Sequence, residues 1–153
     1  LLAHLDRLRF KRLTASSDED LAARAGRLLA EMGVHSEHLD EWIRRLGAAG
    51  NGARDRLAGG LAQLAGEVDM LFEAIDGEET LSDDGTYPGT LAAMVEAWNT
   101  AVAGPLQEAG LAVTASLPDA ERRGGRRGAH GALLEAHLME MGEARREAPG
   151  AAW

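Results

Sequence analysis

Residues 16–46, SSDEDLAARAGRLLAEMGVHSEHLDEWIRRL, decide the fold of this chain of 153 residues. One set of positions recurs there at alternating steps of four and three, the spacing of a helix that interlocks with neighbours in a bundle. The set consists of Leu21, Ala25, Leu28, Met32, His35, Leu39, Trp42 and Leu46. Ser16 and Glu19 match a capping box, and Gly47 matches the glycine that follows a helix end. We therefore predict one long helix over residues 17–46.

Four further segments show helical spacing of their apolar residues. We predict helices over residues 1–13, 57–75, 91–102 and 129–147. Thr90 is placed to cap the third of these, and Pro105 should kink or end it because proline removes a backbone donor. Residues 76–89 and the long connection 110–127 are predicted loops, the second of them functional or mobile. On the last helix, the side chains expected to face the core are those of Leu133, Leu134, His137, Met141 and Ala144. The chain should form an all-α antiparallel bundle, one domain over residues 1–153.

Composition narrows the class of protein and its location. Hydrophobic residues make up 45% of the chain but aromatic residues only 4%, so the core must consist of Leu, Ala, Val and Met, which suits helices. The absence of cysteine leaves no disulfide framework and no thiolate metal site. A net charge of −9 argues against a general nucleic-acid binder. No apolar run reaches the ~20 residues of a membrane span and no signal peptide is apparent, so we expect a cytoplasmic protein without membrane contact.

Metal chemistry has a weak candidate on the long helix. Bundles that hold two iron ions use inward glutamates and a Glu-x-x-His pair on each of two helices, and no such pair occurs in this sequence. Glu31 and His35, four residues apart, come nearest, and His38 follows three residues later. They are candidates for a vestigial metal site; the alternative is that His35 is a core residue oriented by the carboxylate one turn away. We favour this alternative and predict no metal, cofactor or catalytic residue in this chain.

An arginine-rich loop precedes the last predicted helix, and a tryptophan ends the chain. The four arginines are Arg122, Arg123, Arg126 and Arg127. They lie next to a helix N-terminus, where glycines would let an anion or a partner carboxylate approach the backbone. The alternative, which the sequence leaves open, is pairing with acidic residues of the same chain. Because arginine and aromatic residues are enriched at interface hot spots, we predict that these arginines, His130 and Trp153 contact a partner or an anion.

Three motifs give the chain a resemblance to a known family. They are residues 31–35, EMGVH, residues 42–47, WIRRLG, and the tail 124–153, in which GGRRGAH leads through a helix to Pro-Gly and a final Trp. In these motifs the chain resembles the structural, non-catalytic subunits of multicomponent phenylacetyl-CoA ring epoxidases. That family has further N-terminal helices, and a Thr-Glu-His where this chain has Gly-Ala-Leu at residues 131–133. The chain is therefore similar to an N-terminally short or divergent member.

The resemblance implies a ferritin-like helical bundle that lacks some N-terminal helices and has lost its metal site. It also implies a scaffold role in aerobic phenylacetate degradation, beside a related catalytic subunit that holds the di-iron centre and forms an epoxide on the ring of an aryl-CoA. Self-association is a further option. Two other functions stay open: a stand-alone metal-binding bundle that uses Glu31, His35 and His38, and a free-standing helical interaction module.

Overall fold

The computed structural model describes residues 1–50, 52–119, 121–122 and 124–147, although the side chains of residues 133, 144 and 145 lie outside the description. Six α-helices follow one another: α1 (Leu2–Leu13), α2 (Glu19–Ala48), α3 (Ala53–Ala65), α4 (Glu78–Asp83), α5 (Leu91–Glu108) and α6 (Ala132–Glu147). Two 3-10 turns, Val68–Phe72 and Gly125–Arg127, lie between them. No strand occurs in this part of the chain, and the predicted all-α, ferritin-like bundle is confirmed. That residues 1–153 form one domain stays a prediction.

The core forms where α1, α2 and α5 pack against one another. Leu5, Phe72 and Trp98 are completely buried. The rings of Phe72 and Trp98 meet edge to face, with 5.7 Å between centroids and 73° between planes. This arrangement is favourable for aromatic quadrupoles and adds to the apolar burial. The 3-10 turn that carries Phe72 is thereby fixed against the middle of α5.

The face of α2 that packs differs in part from the predicted one. Ala25 is buried as predicted, but Ser36, which lies outside the predicted set, is buried as well, and a Cβ added to Gly47 would lie 2.6 Å from Cα of Ala109. His35 and Trp42, which we predicted in the core, are exposed. Both ridges repeat with the helical period, and the small residues face inward because they let helices approach closely. The prediction of a core position for His35 is therefore wrong.

The ends of α2 also differ from the capping-box prediction. Asp18 caps the helix, its side chain accepting from the amide of Leu21 at 3.0 Å. Ser16 instead accepts from the amide of Asp18 at 3.1 Å and donates to the carbonyl oxygen of Thr86 at 2.7 Å. At the other end the helix continues past Gly47 to Ala48. Gly47 thus serves close helix packing rather than helix termination.

The third helix is shorter than predicted. It ends at Ala65 instead of continuing to residue 75, and its C-cap is Gly66. Gly59 and Gly60 in its interior lower the helix propensity of this stretch. The chain then enters the 3-10 turn Val68–Phe72, which buries both end residues. Residues 76–89, predicted as a loop, contain the short helix α4.

The fourth predicted helix is present as α5 and is longer than expected. Thr90 caps it as predicted, accepting from the amide of Ala93 at 3.2 Å. The helix runs through Pro105 to Glu108, and Pro105 and Leu106 are buried, so packing holds the last turn together. Gly110, at a φ of 68°, then reverses the chain in a Schellman arrangement, with the amide of Leu111 donating to the carbonyl oxygen of Leu106 at 2.8 Å.

The segment after α5, which we expected to be functional or mobile, is tied to the bundle at two positions. Asn99 acts as a backbone mimic: its amide group donates to the carbonyl oxygen of Ala115 at 2.9 Å, and its oxygen accepts from the Ala115 amide at 2.8 Å. One residue later, the amide and hydroxyl of Ser116 donate to the carboxylate of Asp69 at 2.7 and 3.0 Å. Residues 111–116 therefore belong to the packed part of the molecule.

The last helix stands apart from the bundle. It begins at Ala132 rather than 129, and it packs extensively against no other described helix. Leu134, His137 and Met141, which we predicted to point inward, are exposed. The side chains of Leu133 and Ala144 lie outside the description. The prediction of a helix here is confirmed, whereas its burial against the rest of the chain is wrong for the side chains that are described.

Candidate interaction site

The arginine loop is built around a buried carboxylate. Glu73 is only 2% exposed and lies just after the 3-10 turn Val68–Phe72. One of its carboxylate oxygens accepts from the amide of Gly124 at 2.5 Å, and the other accepts from the amide of Arg126 at 3.0 Å. The guanidinium of Arg126 donates in turn to the Glu73 carbonyl oxygen at 2.5 Å. Because a buried charge is tolerated only when it is hydrogen-bonded, these contacts make the carboxylate compatible with burial.

Two glycines give the loop its shape. A Cβ on Gly124 would lie 2.7 Å from the sulfur of Met70 and 3.1 Å from a carboxylate oxygen of Glu73, so a side chain would separate the loop from its acid. Gly128 closes the 3-10 turn Gly125–Arg127 with a φ of 79°, in the region that favours glycine. The backbone amides of the loop form a small anion-binding concavity, which a side chain of the same molecule fills.

The other described arginines of the loop also contact acids of this chain. A nitrogen of Arg126 lies 3.5 Å from the largely buried carboxylate of Glu78. The two remaining ion pairs, both closer to solvent, are Arg122–Glu67 at 3.1 Å and Arg127–Asp76 at 3.0 Å. Of the two alternatives that the sequence left open, internal pairing is therefore present for these three arginines. Contact with an anion or a partner stays a prediction, as exposed pairs are weak and exchange readily.

The remaining residues predicted for this contact are separate from the buried carboxylate. His130 is exposed, and its ring lies close to Gly125. Arg123 and Trp153 lie outside the described residues. The structure therefore brings together three of the arginines and the base of α6.

The candidate metal residues lie on the outside of α2. Glu31, His35 and His38 are all exposed. Nε2 of His38 is 3.0 Å from the indole nitrogen of Trp42, which donates a hydrogen bond to it, and the two rings are nearly perpendicular. Within the ranges that the structure describes, no group of three or more His, Cys, Asp or Glu residues is arranged to hold a metal ion.

Two polar contacts inside the bundle were not predicted. His4 and Asp40 join α1 to α2 through a 2.8 Å contact between Nε2 and a carboxylate oxygen, both side chains being largely buried. The guanidinium of Arg12 lies 3.8 Å from the centre of the Tyr87 ring and donates to the carbonyl oxygens of Tyr87, Pro88 and Gly89. Burial raises the pKa of the Tyr87 phenol, and the nearby charges of Arg12 and Arg9 oppose that shift. Sequence spacing carries no signal for such distant partners.

An open apolar groove lies between α2 and α3. Its volume is about 430 Å³, and its walls include Leu39, Trp42 and Leu46 from α2 and Leu57, Leu61 and Leu64 from α3. Trp42 is 46% exposed and Leu64 is 58% exposed, so these large side chains face solvent. Exposed apolar surface of this kind often marks an interaction site. Three of the residues that we assigned to the core face of α2, Leu39, Trp42 and Leu46, thus form one wall of a groove.

None of the described helices combines the length and the apolar character that crossing a bilayer requires.

The fold and these surfaces define an all-helical bundle protein. It has an open apolar groove, an amphipathic last helix that does not pack on the bundle, and an arginine loop that is hydrogen-bonded to a buried glutamate. The chain belongs to the phenylacetic acid catabolic protein family, whose model matches residues 1–153. It is 32% identical over 146 residues to one of the subunits of the 1,2-phenylacetyl-CoA epoxidase of Escherichia coli (strain K12). That match covers 94% of this chain but 57% of the relative, so the chain spans little more than half of its length.

Proposed function

We propose that this chain is a non-catalytic scaffold subunit of an aryl-CoA monooxygenase complex in phenylacetate catabolism. The observation that carries the proposal is the similarity to a subunit of a phenylacetyl-CoA epoxidase, in a sequence without any Glu-x-x-His pair. A ferritin-like bundle without this ligand pattern retains the helical surfaces of the fold but not the usual means of holding two iron ions. Phenylacetyl-CoA, named in the relative, is the proposed substrate of the complex.

The di-iron centre would belong to a related catalytic subunit, and this chain would hold no cofactor. The exposure of Glu31, His35 and His38 supports this assignment. An exposed histidine and glutamate on one helix offer a metal ion too few ligands and no protection from water. The proposed contribution of the chain is therefore a surface that binds and orients the catalytic subunit, in the cytoplasm as the sequence predicts.

Co-purification tests this proposal. The chain, tagged, would be co-expressed with a Glu-x-x-His subunit of the same family. We expect the two to elute together, with iron in the complex and only background iron in the isolated chain. If the isolated chain retained about two iron or manganese ions through dialysis against a chelator, the scaffold role would be wrong and a stand-alone metal-binding bundle would replace it. A chain that bound neither metal nor the catalytic subunit would instead be a free-standing interaction module.

A further inference from the structure

Another pocket, which we call the α1–α5 pocket, lies between the last turns of α1 and the first half of α5. Its volume is about 290 Å³. Because a cavity of about 150 Å³ is enough to hold benzene, this pocket has room for a ring and a short substituent. Its wall combines apolar side chains with two cations, and includes Leu8, Lys11 and Arg12 from α1 and Ala93, Met94 and Ala97 from α5.

The two cations of the pocket have no acid to neutralise them. Lys11 is exposed, and neither Lys11 nor Arg12 forms an ion pair with an acidic residue of the described chain. The guanidinium of Arg12 donates only to the backbone carbonyl oxygens of residues 87–89 and lies over the ring of Tyr87. Its Nη1 is buried and has no hydrogen-bond partner. Since a buried donor without an acceptor is costly, an anionic oxygen beside Arg12 would be stabilised.

The start of α5 adds a positive potential to the same place. Thr90, the N-cap of α5, lines the pocket together with Ala93 of the first turn. No acidic residue occurs in that turn, so the partial positive charge of the helix N-terminus is not offset there. Gly89, at a φ of 104°, lets the loop approach Arg12 closely, because a Cβ at this position would lie 3.3 Å from the Nε of Arg12. The positive groups are thus held on one side of an apolar wall.

This combination fits a ligand that joins a negative charge to a compact apolar body. A purely ionic ligand would leave the apolar wall of Leu8, Met94 and Ala97 uncovered, whereas a hydrocarbon would leave both cations unpaired. We propose that the α1–α5 pocket binds a small carboxylate with a ring-sized apolar body. The carboxylate pairs with Lys11 and Arg12, and the apolar body packs between α1 and α5. This inference does not depend on the proposed scaffold function.

Titration of the ¹⁵N-labelled full chain with benzoate, at constant ionic strength, tests the proposal by NMR. We expect saturable shifts of the amide signals of Gly89, Thr90 and Ala93. The dissociation constant should be on the order of 1 mM, the affinity expected for a ligand of about ten non-hydrogen atoms. Benzamide keeps the shape of benzoate without its charge, and acetate keeps the charge without the ring. Each should bind at least about fivefold more weakly than benzoate.

Two pairs of variants locate the site. Ala97 is exposed and lines the pocket, so Ala97→Leu fills the pocket without disturbing the core and should abolish saturable binding. Its matched control is Ala92→Leu, at an exposed position of α5 outside the pocket, which should change the dissociation constant by less than about twofold.

The second pair tests the charge. Lys11→Gln should raise the dissociation constant by at least about threefold. Arg7→Gln removes the same charge from an exposed position of α1 outside the pocket, and should raise it by less than about twofold because solvent and salt screen distant charges. Circular dichroism checks that all four variants fold.

Four outcomes would overturn the proposal. Benzoate could cause no saturable shift at concentrations well above the expected dissociation constant. Benzamide could bind as tightly as benzoate, which would show that the cations contribute nothing. Folded Ala97→Leu could bind benzoate unchanged, which would place the ligand elsewhere on the surface. Lys11→Gln and Arg7→Gln could weaken binding equally, which would reduce the effect to the overall charge of the chain.

Discussion

The carboxylate of Glu73 accepts a hydrogen bond from the amide of Gly124 at 2.5 Å, although 51 positions of sequence separate the two residues. The same carboxylate also binds the amide of Arg126. The arginine loop thus folds over an acid of the same chain, which is the second of the two alternatives that the sequence left open. Two amide donors would lose their partner if this acid were removed, and buried unpaired donors are costly.

Glu73→Gln should therefore lower the free energy of unfolding by about 1–3 kcal/mol. Glutamine keeps the shape of the side chain, but its amide nitrogen cannot accept, so one of the two backbone donors is left opposite another donor. Urea denaturation measures the change. Glu67→Gln is the matched control, because Glu67 pairs with Arg122 in an exposed position and should cost less than about 1 kcal/mol. Equal effects for the two variants would contradict the buried-anion interpretation.

Removing the side chain of His4 on α1 and removing that of His35 on α2 should have different effects on stability. His4→Ala breaks the largely buried contact with Asp40 and should cost about 1–3 kcal/mol, because it leaves a carboxylate without its partner. His35→Ala removes an exposed side chain and should change stability by less than about 0.5 kcal/mol. Thermal or urea unfolding of the two variants measures this difference. A larger loss for His35→Ala would restore the core position that the sequence predicted.

Replacing Gly47 should lower the stability of the protein, whereas replacing Gly26 of the same helix should not. Gly47→Ala forces a Cβ against Ala109, whose Cα would be 2.6 Å away, and overpacking of this kind costs about 1–3 kcal/mol. Gly26→Ala meets no atom within 4 Å and should stabilise α2 by up to about 1 kcal/mol through its higher helix propensity. Opposite signs in urea denaturation are expected, and a stabilising Gly47→Ala would show that α2 and α5 are further apart.

The ionisation of Tyr87 should make the protein less stable at alkaline pH. Burial raises the pKa of this phenol above the ordinary value of 10.0, so the folded state holds the proton more tightly than the unfolded state. The contribution is complete below pH 10.0 and is lost as the pH rises through the higher pKa of the folded protein. Tyr87 is the only tyrosine, so absorbance titration of phenolate reports it alone. Tyr87→Phe should flatten the dependence of stability on pH in this range, and an unshifted titration in the folded protein would contradict the prediction.

The end of the chain should matter for partner binding more than for stability. Deleting residues 151–153 removes Trp153, and aromatic residues at interface hot spots contribute about 2 kcal/mol or more. We expect weaker co-purification with the proposed catalytic subunit and a nearly unchanged melting temperature of the isolated chain. Trp153→Ala in the full chain is the matched variant. Unfolding of the truncated chain would identify Trp153 as a core residue, and no change in either property would make the tail a passive end.

The periodic pattern predicted five of the six described helices, but on α2 and α6 it did not predict correctly which side is buried. On α2 the large residues, such as Leu39 and Trp42, and the small ones, such as Ser36 and Gly47, repeat with the same period. Which ridge faces inward depends on how closely the neighbouring helices approach. That distance is set by contacts such as Gly47 with Ala109, which join residues far apart in the sequence. The spacing of residues within one segment cannot predict such long-range contacts.

The sequence indicated an arginine loop with glycines beside it, but not which acid of the chain the loop contacts. The glycines beside the arginines indicated that an anion could contact the loop backbone, and the sequence left open whether it would come from outside or from an acid of this chain. They could not identify Glu73 as that anion, since the sequence placed Glu73 inside a helix predicted to continue to residue 75. The signal that this prediction overlooked is Gly66, which is the C-cap of α3, so that Glu73 follows the separate 3-10 turn Val68–Phe72.

The pairing of Asn99 with Ala115 has a consequence for how sequence length can vary in this family. One side chain holds both polar groups of a single backbone residue, and Gly110 fixes where the segment leaves α5. An insertion or deletion between Gly110 and Ala115 would shift another residue onto Asn99 and move Ser116 away from Asp69. Natural length changes should therefore be rare across these five steps and tolerated after residue 116, where the chain returns to the surface.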